Sequence, residues 1–469
     1  MRESLAERET LLATAPHLVR PLPLLVPVYE KARRGALTIR AGMWLYDLLS
    51  ADKSLPTHRM LDAAGAREAC PGIAAEGLAA AALYYDGQLT FPERLVIENL
   101  LDARNAGAEL HAYTRAERVL VEAGRVIGVI ARDLRTDETA TLRAPLVVNA
   151  TGPWVDQLLG TLAGRRPRRL IGGSRGAHLV VDALPGLADT ACYSEAASDG
   201  RPFFILPWNG MTLIGTTDIA STGDPDESIA TEAEIDYLIA EARRLFPDSG
   251  ISREHVRYVY SGVRPLPFVT AREQASITRR HLIRHHRTVA RGLYSVIGGK
   301  LTTYRSLAEE VVNRLARKLR RDTQDCETAT RPLPGASKDS GFGTKSLLGA
   351  GTVSSQTAAR LAALYGTRAG IVVALAKDNR DLATVVCEHS GAIAAEFIHA
   401  FESDLATSFA DALMRRTMLG LNADLGAAAL EPALAITARH RGWDAARVAE
   451  ERRVVERERA ALRVPSHAH

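Results

Sequence analysis

"SVIGGKLTTYRSLAEEVV" (residues 295–312) passes from a strand-like alternation through Gly298 and Gly299 into Lys300, Leu301, Thr302 and Thr303, and then into a helix. Apolar Leu307, Val311, Leu315 and Leu319 recur at helical spacing, so the sequence predicts a helix that buries them. Thr302 and Thr303 are favourable N-caps, and the unbonded N–H groups there would meet an anion or an electron-rich carbonyl. Lys300 adds a full positive charge beside them. The plainer alternative is a capped helix with a surface lysine.

Two other stretches end a strand in a comparable way. In "PLVVNATGPWVDQLLG" (145–160) a buried strand runs into small residues, and Pro153 then opens a helix at a favoured position. Small residues there would let a backbone approach a ligand closely, although a tight packing junction asks for the same ones. In "YSGVRPLP" (260–267) a strand ends in a Gly262 turn, and Arg264 is fixed by Pro265. A guanidinium so presented grips a carboxylate or phosphate at two points, or serves as a structural ion-pair partner.

The 469 residues allow two or three domains, and 46% apolar with 24% charged residues describes an ordinary globular chain. A net charge of +4 does not imply nucleic acid. The basic clusters at 165–169, 279–287 and 314–321 read as solvated faces, with an anionic surface as the minority alternative. Cys70, Cys192, Cys326 and Cys387 are widely spaced, which argues against a zinc site or disulfide framework and fits a reducing compartment. The start "MRESLAERET" is charged and helix-like rather than a signal peptide. No apolar run approaches the roughly 18 to 20 residues of a membrane span. The densest, "LVRPLPLLVPVY" (18–29), is broken by three prolines.

Residues 1–60 read as mostly helical around that segment. "AALYYDGQLTFPERLVIENLLDARNAG" (81–107) reads as a short strand, a Gly turn and a helix. Hairpins are expected at Ala123-Gly124 and Asn209-Gly210. After residue 330 the chain becomes Ala/Leu/Arg-rich and helical, with a long helix expected in "FESDLATSFADALMRRTMLGL" (401–421). Glycines in "GFGTKS" (341–346) and "GAGTVS" (349–354) follow no apolar strand and read as linker.

"NATGPW", "IGTTD", "YSGVRPL" and "GGKLTTYR", in this order, resemble the aerobic, flavin-dependent glycerol-3-phosphate dehydrogenase family over nearly the whole chain. "FADALMRRTMLGL" (409–421) resembles that family's C-terminal domain. The resemblance implies an α/β chain with three parts. An FAD-binding Rossmann-like domain, N-terminally incomplete, takes 1–164 and 260–330; an antiparallel β substrate domain takes 165–259 with parts of 20–95; an all-α C-terminal domain takes 331–469. It places FAD against Ala150, Thr151, Gly152, Gly298, Gly299, Lys300, Leu301, Thr302 and Thr303. It makes Arg264 the holder of the substrate phosphate and sets Thr217, Asp218, Arg94 and His178 on the substrate side. His178 is a candidate proton acceptor, with a core or structural histidine as the plainer alternative, and Lys300 a stabiliser of negative charge, so Arg264, Lys300 and His178 form the implied catalytic set. The implied reaction oxidises sn-glycerol 3-phosphate to dihydroxyacetone phosphate. Its electrons go to a quinone, in a cytoplasmic protein with peripheral membrane contact and room for a homodimer, with no metal and no nucleic acid.

The match weakens at "YYDGQLTFPERL" (84–95), where the family more often has acidic residues ahead of the arginine corresponding to Arg94. The family's opening G-x-G-x-x-G unit, which holds the ADP half of FAD, has no counterpart here. Two explanations fit: a start lying upstream, or a chain that binds FAD weakly or not at all and serves as an inactive binding or structural relative, or as a subunit completed by another chain. A related flavin oxidoreductase for another small hydroxy or amino acid is the remaining alternative, and the helical tail speaks against it.

Overall fold

Helix α1 (Arg2–Thr14) leads into strand β1 (Val19–Tyr29), so the Pro-rich segment is not an interruption among helices. Pro21, Pro23 and Pro27 share one parity, which lines up their missing donors along a single edge. After α2 (Ala36–Ser50), β2 (Arg59–Asp62) and α3 (Ala63–Ala69), β3 (Leu78–Leu89) pairs with β1 along its length. The parity of the prolines thus reconciles them with a strand inside a sheet. No turn forms at Asp86-Gly87: β3 runs through both, and Pro92 opens α4 (Pro92–Asn105). The structure is a computed structural model, and it describes all residues except 31, 51, 163–167, 222, 269–280, 323, 338–342, 350 and 466–469. The basic clusters at 165–169 and 279–287 and both linker glycine stretches fall partly outside the described residues.

Strands β4 (Thr114–Glu122), β5 (Arg125–Asp133) and β6 (Thr139–Arg143) form an antiparallel meander. Its first turn is Ala123-Gly124, both in the left-handed region, as the sequence predicts. Strand β7 (Val147–Asn149) precedes α5 (Val155–Gly160). Then come β8 (Ser174–Val181), β9 (Ala191–Glu195), β10 (Pro202–Trp208), β11 (Met211–Gly215) and β12 (Ile219–Ala220), with the expected hairpin at Asn209-Gly210. Helix α6 (Glu232–Leu245), which starts in a Thr231–Glu234 capping box, is followed by β13 (Val256–Arg264). Gly262 makes no turn, and β13 continues to Arg264 opposite Ser174 of β8.

These strands build a nine-stranded sheet in the order β12-β8-β11-β10-β9-β1-β3-β2, with β13 also on β8. One face carries Leu179, Val181, Ile205 and Ile214 onto Ile235, Leu238 and Ala242 of α6. By strand alternation the other face presents His178, Val180, Tyr258 and Tyr260. Cys70 and Cys192 meet inside the α6-side core with sulfurs 3.6 Å apart, both unbridged, a proximity their spacing in the sequence hides.

A second sheet joins β14 (Leu282–His285), β15 (Leu293–Ile297) and β7, with β15 and β7 parallel. Helix α7 (Tyr304–Leu319) follows β15. Its apolar stripe is only partly covered: Val311 is buried, whereas Leu319 is exposed. The sequence reading of a fully buried stripe is corrected accordingly.

The C-terminal part packs α8 (Thr344–Leu348), α9 (Ser355–Tyr365), α10 (Ala369–Asp378), α11 (Ala395–Glu402), α12 (Ala427–Arg441) and α13 (Ala445–Leu462) around one core. It is not wholly helical, because β16 (Val385–Cys387) and β17 (Ala392–Ile393) form a small ladder. Nor is 401–421 one helix: α11 stops at Glu402 and a single wide turn covers Asp411–Arg416. The stretch Ser355–Asp378 has the length and mean hydropathy (1.3) of a membrane-crossing segment, contrary to the sequence reading. In this fold Leu361, Tyr365 and Val372 from it fill the domain core.

Arg94 corrects a more consequential expectation. It is 0% exposed, in the seam between α4 and the C-terminal helices. Its Nη1 donates to Asp404 Oδ2 at 2.7 Å and to Arg416 O at 3.3 Å, and its Nε donates to Leu364 O at 3.2 Å. Arg368 closes the cluster by pairing with both Glu98 and Asp404. A buried guanidinium needs such partners, and these occupy Nε and Nη1, while Nη2 lies 3.9 Å from Glu98 Oε1 with no hydrogen bond.

Burial would raise the Asp404 carboxyl, but Arg94, His399 and Arg368 outweigh it and hold it well below its ordinary 3.8. Burial pushes His399 down from 6.5 to about 4. Groups depressed in the folded state favour folding above their unfolded values, and that contribution is lost as pH falls through the folded ones. Stability should therefore decline as pH drops from 6.5 toward about 4 through His399, and further below 3.8 through Asp404. At neutral pH, Arg94→Met should cost about 3–5 kcal/mol in urea denaturation by leaving buried Asp404 and Glu98 with Arg368 as their remaining arginine. A variant as stable as the parent would refute the assignment.

Candidate functional site

The parallel register of β7 and β15 (Leu293 with Val147, Ser295 with Asn149) sets their carboxyl ends side by side. The turns that leave those ends, Ala150–Gly152 and Gly298–Lys300, are thus neighbours, in the crevice where open α/β sheets bind ligands. Gly152, Gly298 and Gly299 all have positive φ, at 59°, 69° and 106°. Asn149, which the sequence reading passed over, braces the first turn. Its Oδ1 accepts from the Thr151 hydroxyl at 2.7 Å and its Nδ2 donates to Val155 O at 3.1 Å.

Neither Thr302 nor Thr303 caps α7 with its side chain; Leu301–Thr303 forms one tight turn ahead of the helix. The Thr303 hydroxyl instead donates to Lys300 O at 3.4 Å. Lys300 Nζ reaches Ser4 Oγ at 3.4 Å, and Leu301 is exposed beside it. The positive charge and the helix start remain where the sequence puts them, but the threonine caps do not.

Strand β13 packs against the turn Gly152–Trp154 and brings Arg264 to this crevice. Arg264 Nη2 donates to Thr216 Oγ1 at 2.7 Å and to Thr217 O at 3.2 Å, and Nη1 donates to Ser174 Oγ at 3.3 Å. Asp218 lies 3.7 Å from Nη1 and accepts from the Ser174 hydroxyl. Gly176 lies directly under the guanidinium, where a Cβ would collide with it.

Thr217 differs from its expected role. Its hydroxyl is buried, accepting from Ala177 N at 2.9 Å and donating to Glu234 Oε1 at 2.7 Å. Its side chain holds β8 to α6, and only its carbonyl reaches Arg264; Thr216 supplies the hydroxyl facing the site. Thr216 lies within the IGTTD stretch that the resemblance puts on the substrate side, whereas Ser174, four residues before His178, was missed.

His178 stacks on Tyr260, ring centroids 4.9 Å apart and planes 11° from parallel. Its Nδ1 is buried without a partner. Burial, and secondarily the charge of Arg264, push its pKa down to about 4, so the ring is neutral near pH 7. On the same sheet face lies a cavity of about 640 Å³, lined by Leu22, Leu24, Tyr84, Phe204 and Trp208 and reaching Tyr260.

The site fits the ring end of a flavin. Ala150 and Thr151 are exposed where β7 ends, and no atom lies within 4 Å of where a Gly152 Cβ would stand, so a planar ring has room against this backbone. Among the described residues no G-x-G-x-x-G turn joins a strand to a helix for the ADP half.

Comparison with known proteins agrees with this geometry. The family model for FAD dependent oxidoreductases matches residues 1–305, and that for the C-terminal domain of alpha-glycerophosphate oxidase matches 326–448. A glycerol-3-phosphate dehydrogenase of Synechocystis sp. is 40% identical over 94% of this chain and 82% of its own. An aerobic glycerol-3-phosphate dehydrogenase of Bacillus subtilis is 30% identical over 88% of this chain and 75% of its own. The glycerol-3-phosphate dehydrogenase of Bacillus halodurans, solved with FAD, superposes with a TM-score of 0.80 at 27% identity, covering 98% of this chain and 85% of that one. On this likeness along almost its full length, the chain belongs to the FAD-dependent glycerol-3-phosphate dehydrogenase family.

Proposed function

We propose that this chain oxidises sn-glycerol 3-phosphate to dihydroxyacetone phosphate and passes the electrons to a quinone at a membrane surface. The observation that carries the reading is Arg264, held by Ser174, Thr216 and the Thr217 carbonyl beside the Gly152 turn. A phosphate there can take two guanidinium N–H groups at once, displacing Asp218 as the nearest anion. Anchored by that end, the substrate extends its C2 toward the turns at Gly152 and Gly298.

Bound FAD supplies the acceptor for the hydride leaving C2. Lys300 and the start of α7 favour negative charge on that side of the crevice. The C2 hydroxyl proton goes to His178; with Nδ1 sealed, Nε2 is the nitrogen that exchanges it. Because Arg264 helps depress His178, a phosphate on Arg264 makes the imidazole more basic when substrate is present. The apolar cavity reaching Tyr260 supports the quinone as electron acceptor.

With a soluble dye as acceptor, Arg264→Ala should raise KM by about 100-fold or more, as loss of a two-point charged contact does. Arg264→Lys should recover part of that loss. An unchanged KM in both variants would contradict the phosphate assignment. In histidine-labelled protein, the resonance lost in His178→Asn should titrate near 4 and move upward on adding inorganic phosphate. A His178 that titrates near its ordinary 6.5, and ignores phosphate, would remove it as the coupled base.

A further inference from the structure

Glu234, the third residue of α6, does more than start its helix. A capping box asks one carboxylate oxygen to return to the N-cap N–H and asks nothing of the other. Here Glu234 Oε2 meets that demand, accepting from Thr231 N and from the Thr231 hydroxyl, each at 2.9 Å, and from Arg175 Nη2 at 2.8 Å. Oε1 is left for a different partner, the Thr217 hydroxyl, which donates to it at 2.7 Å. The residue is 3% exposed, on the α6 side of β8 and behind the face that carries His178. Burial would raise its carboxyl, but the hydrogen bonds from Thr217 and Thr231 and the charge of Arg175 outweigh it and hold it below its ordinary 4.5. Glu234 is therefore a buried carboxylate at neutral pH.

Its extra hydrogen bond lands on the turn that holds Arg264. Thr217 turns its hydroxyl toward α6, where it also accepts from Ala177 N at 2.9 Å, and its carbonyl toward the site, where it accepts from Arg264 Nη2 at 3.2 Å. The Thr216 hydroxyl, one residue earlier, accepts from the same Nη2 at 2.7 Å. Two hydrogen-bonded steps thus join the buried carboxylate to the guanidinium. Without Glu234 the buried Thr217 hydroxyl loses its acceptor, which is costly, and the turn loses the bond that fixes it from the core side.

We propose that Glu234 is a positioning residue for the phosphate site: through Thr217 it fixes the carbonyl and the hydroxyl that hold the Arg264 guanidinium ready for a substrate phosphate. The inference rests on the reading of Arg264 as the phosphate anchor. Glu234 lies behind the sheet from the crevice, so it acts on binding and leaves the hydride step alone.

Steady-state kinetics with a soluble dye as acceptor, and inorganic phosphate as competitive inhibitor, test it. Glu234→Gln keeps the size and the cap, since glutamine also serves at this position, but offers one acceptor oxygen in place of two. It should raise the KM for glycerol 3-phosphate about tenfold at nearly unchanged kcat, as loss of a hydrogen bond around a charged group does. The inhibition constant of inorganic phosphate should rise by the same factor. Thr217→Val cuts the same link without touching the helix cap and should raise KM at least as much. The double variant should add little to Thr217→Val, and Thr217→Ser, which keeps the hydroxyl, should stay near the parent. A Glu234→Gln variant with a lowered melting temperature but the parent KM and phosphate inhibition would make Glu234 a helix cap alone and overturn the proposal. So would single effects that multiply in the double variant. Arg264→Ala measured alongside separates the two readings. If it raises KM while Glu234→Gln does not, the positioning role falls and the anchor stands; if neither does, the anchor fails and takes the positioning role with it.

Discussion

Three residue pairs between β7 and β15 decide what this molecule can do. They join segments distant in the sequence into one parallel edge, and so set the Gly152 and Gly298 turns next to each other. The turns add little stability of their own: glycines at positive φ are costly in chain entropy and leave backbone uncovered. Their value is access, because a planar ring can approach both backbones where no Cβ intervenes. Asn149 holds the first turn in shape from inside the fold.

The large sheet supplies the other half of the site by register. Pairing β8 with β13 places His178 opposite Tyr260 and Ser174 opposite Arg264. The proposed base, its stacking partner, the proposed anchor and its supporting hydroxyl therefore occupy fixed positions on paired strands. The electrostatics follow from this arrangement. The Arg264 guanidinium adds to burial in depressing the neighbouring imidazole, and in the proposed function it also attracts the substrate phosphate. On that proposal, substrate charge and base strength are coupled through a single side chain. The seam around Arg94 and Asp404 uses the same chemistry differently, with opposite charges paired between α4 and the C-terminal helices, and it serves architecture.

Much of this was legible in the sequence because turn chemistry is local. Asn209-Gly210, Ala123-Gly124 and the Gly-Gly-Lys stretch announce their conformations, and the ordered motifs announce the family. What stayed hidden depends on partners far along the chain. Proline parity in β1 matters only once β3 is its neighbour. Arg94 and Thr217 carry site-like residue types, yet Asp404 and Glu234 claim their polar groups. Gly262 looks like a turn until β8 pairs across it.

The central claim is that these two turns and Arg264 form one working flavin site for glycerol 3-phosphate. The most direct measurement is the visible absorption of the FAD-loaded chain as glycerol 3-phosphate is added without oxygen. The account predicts that the oxidised-flavin bands bleach with substrate and that Arg264→Ala shifts the bleaching to far higher concentration. Bound flavin that keeps its oxidised spectrum at saturating substrate would contradict it.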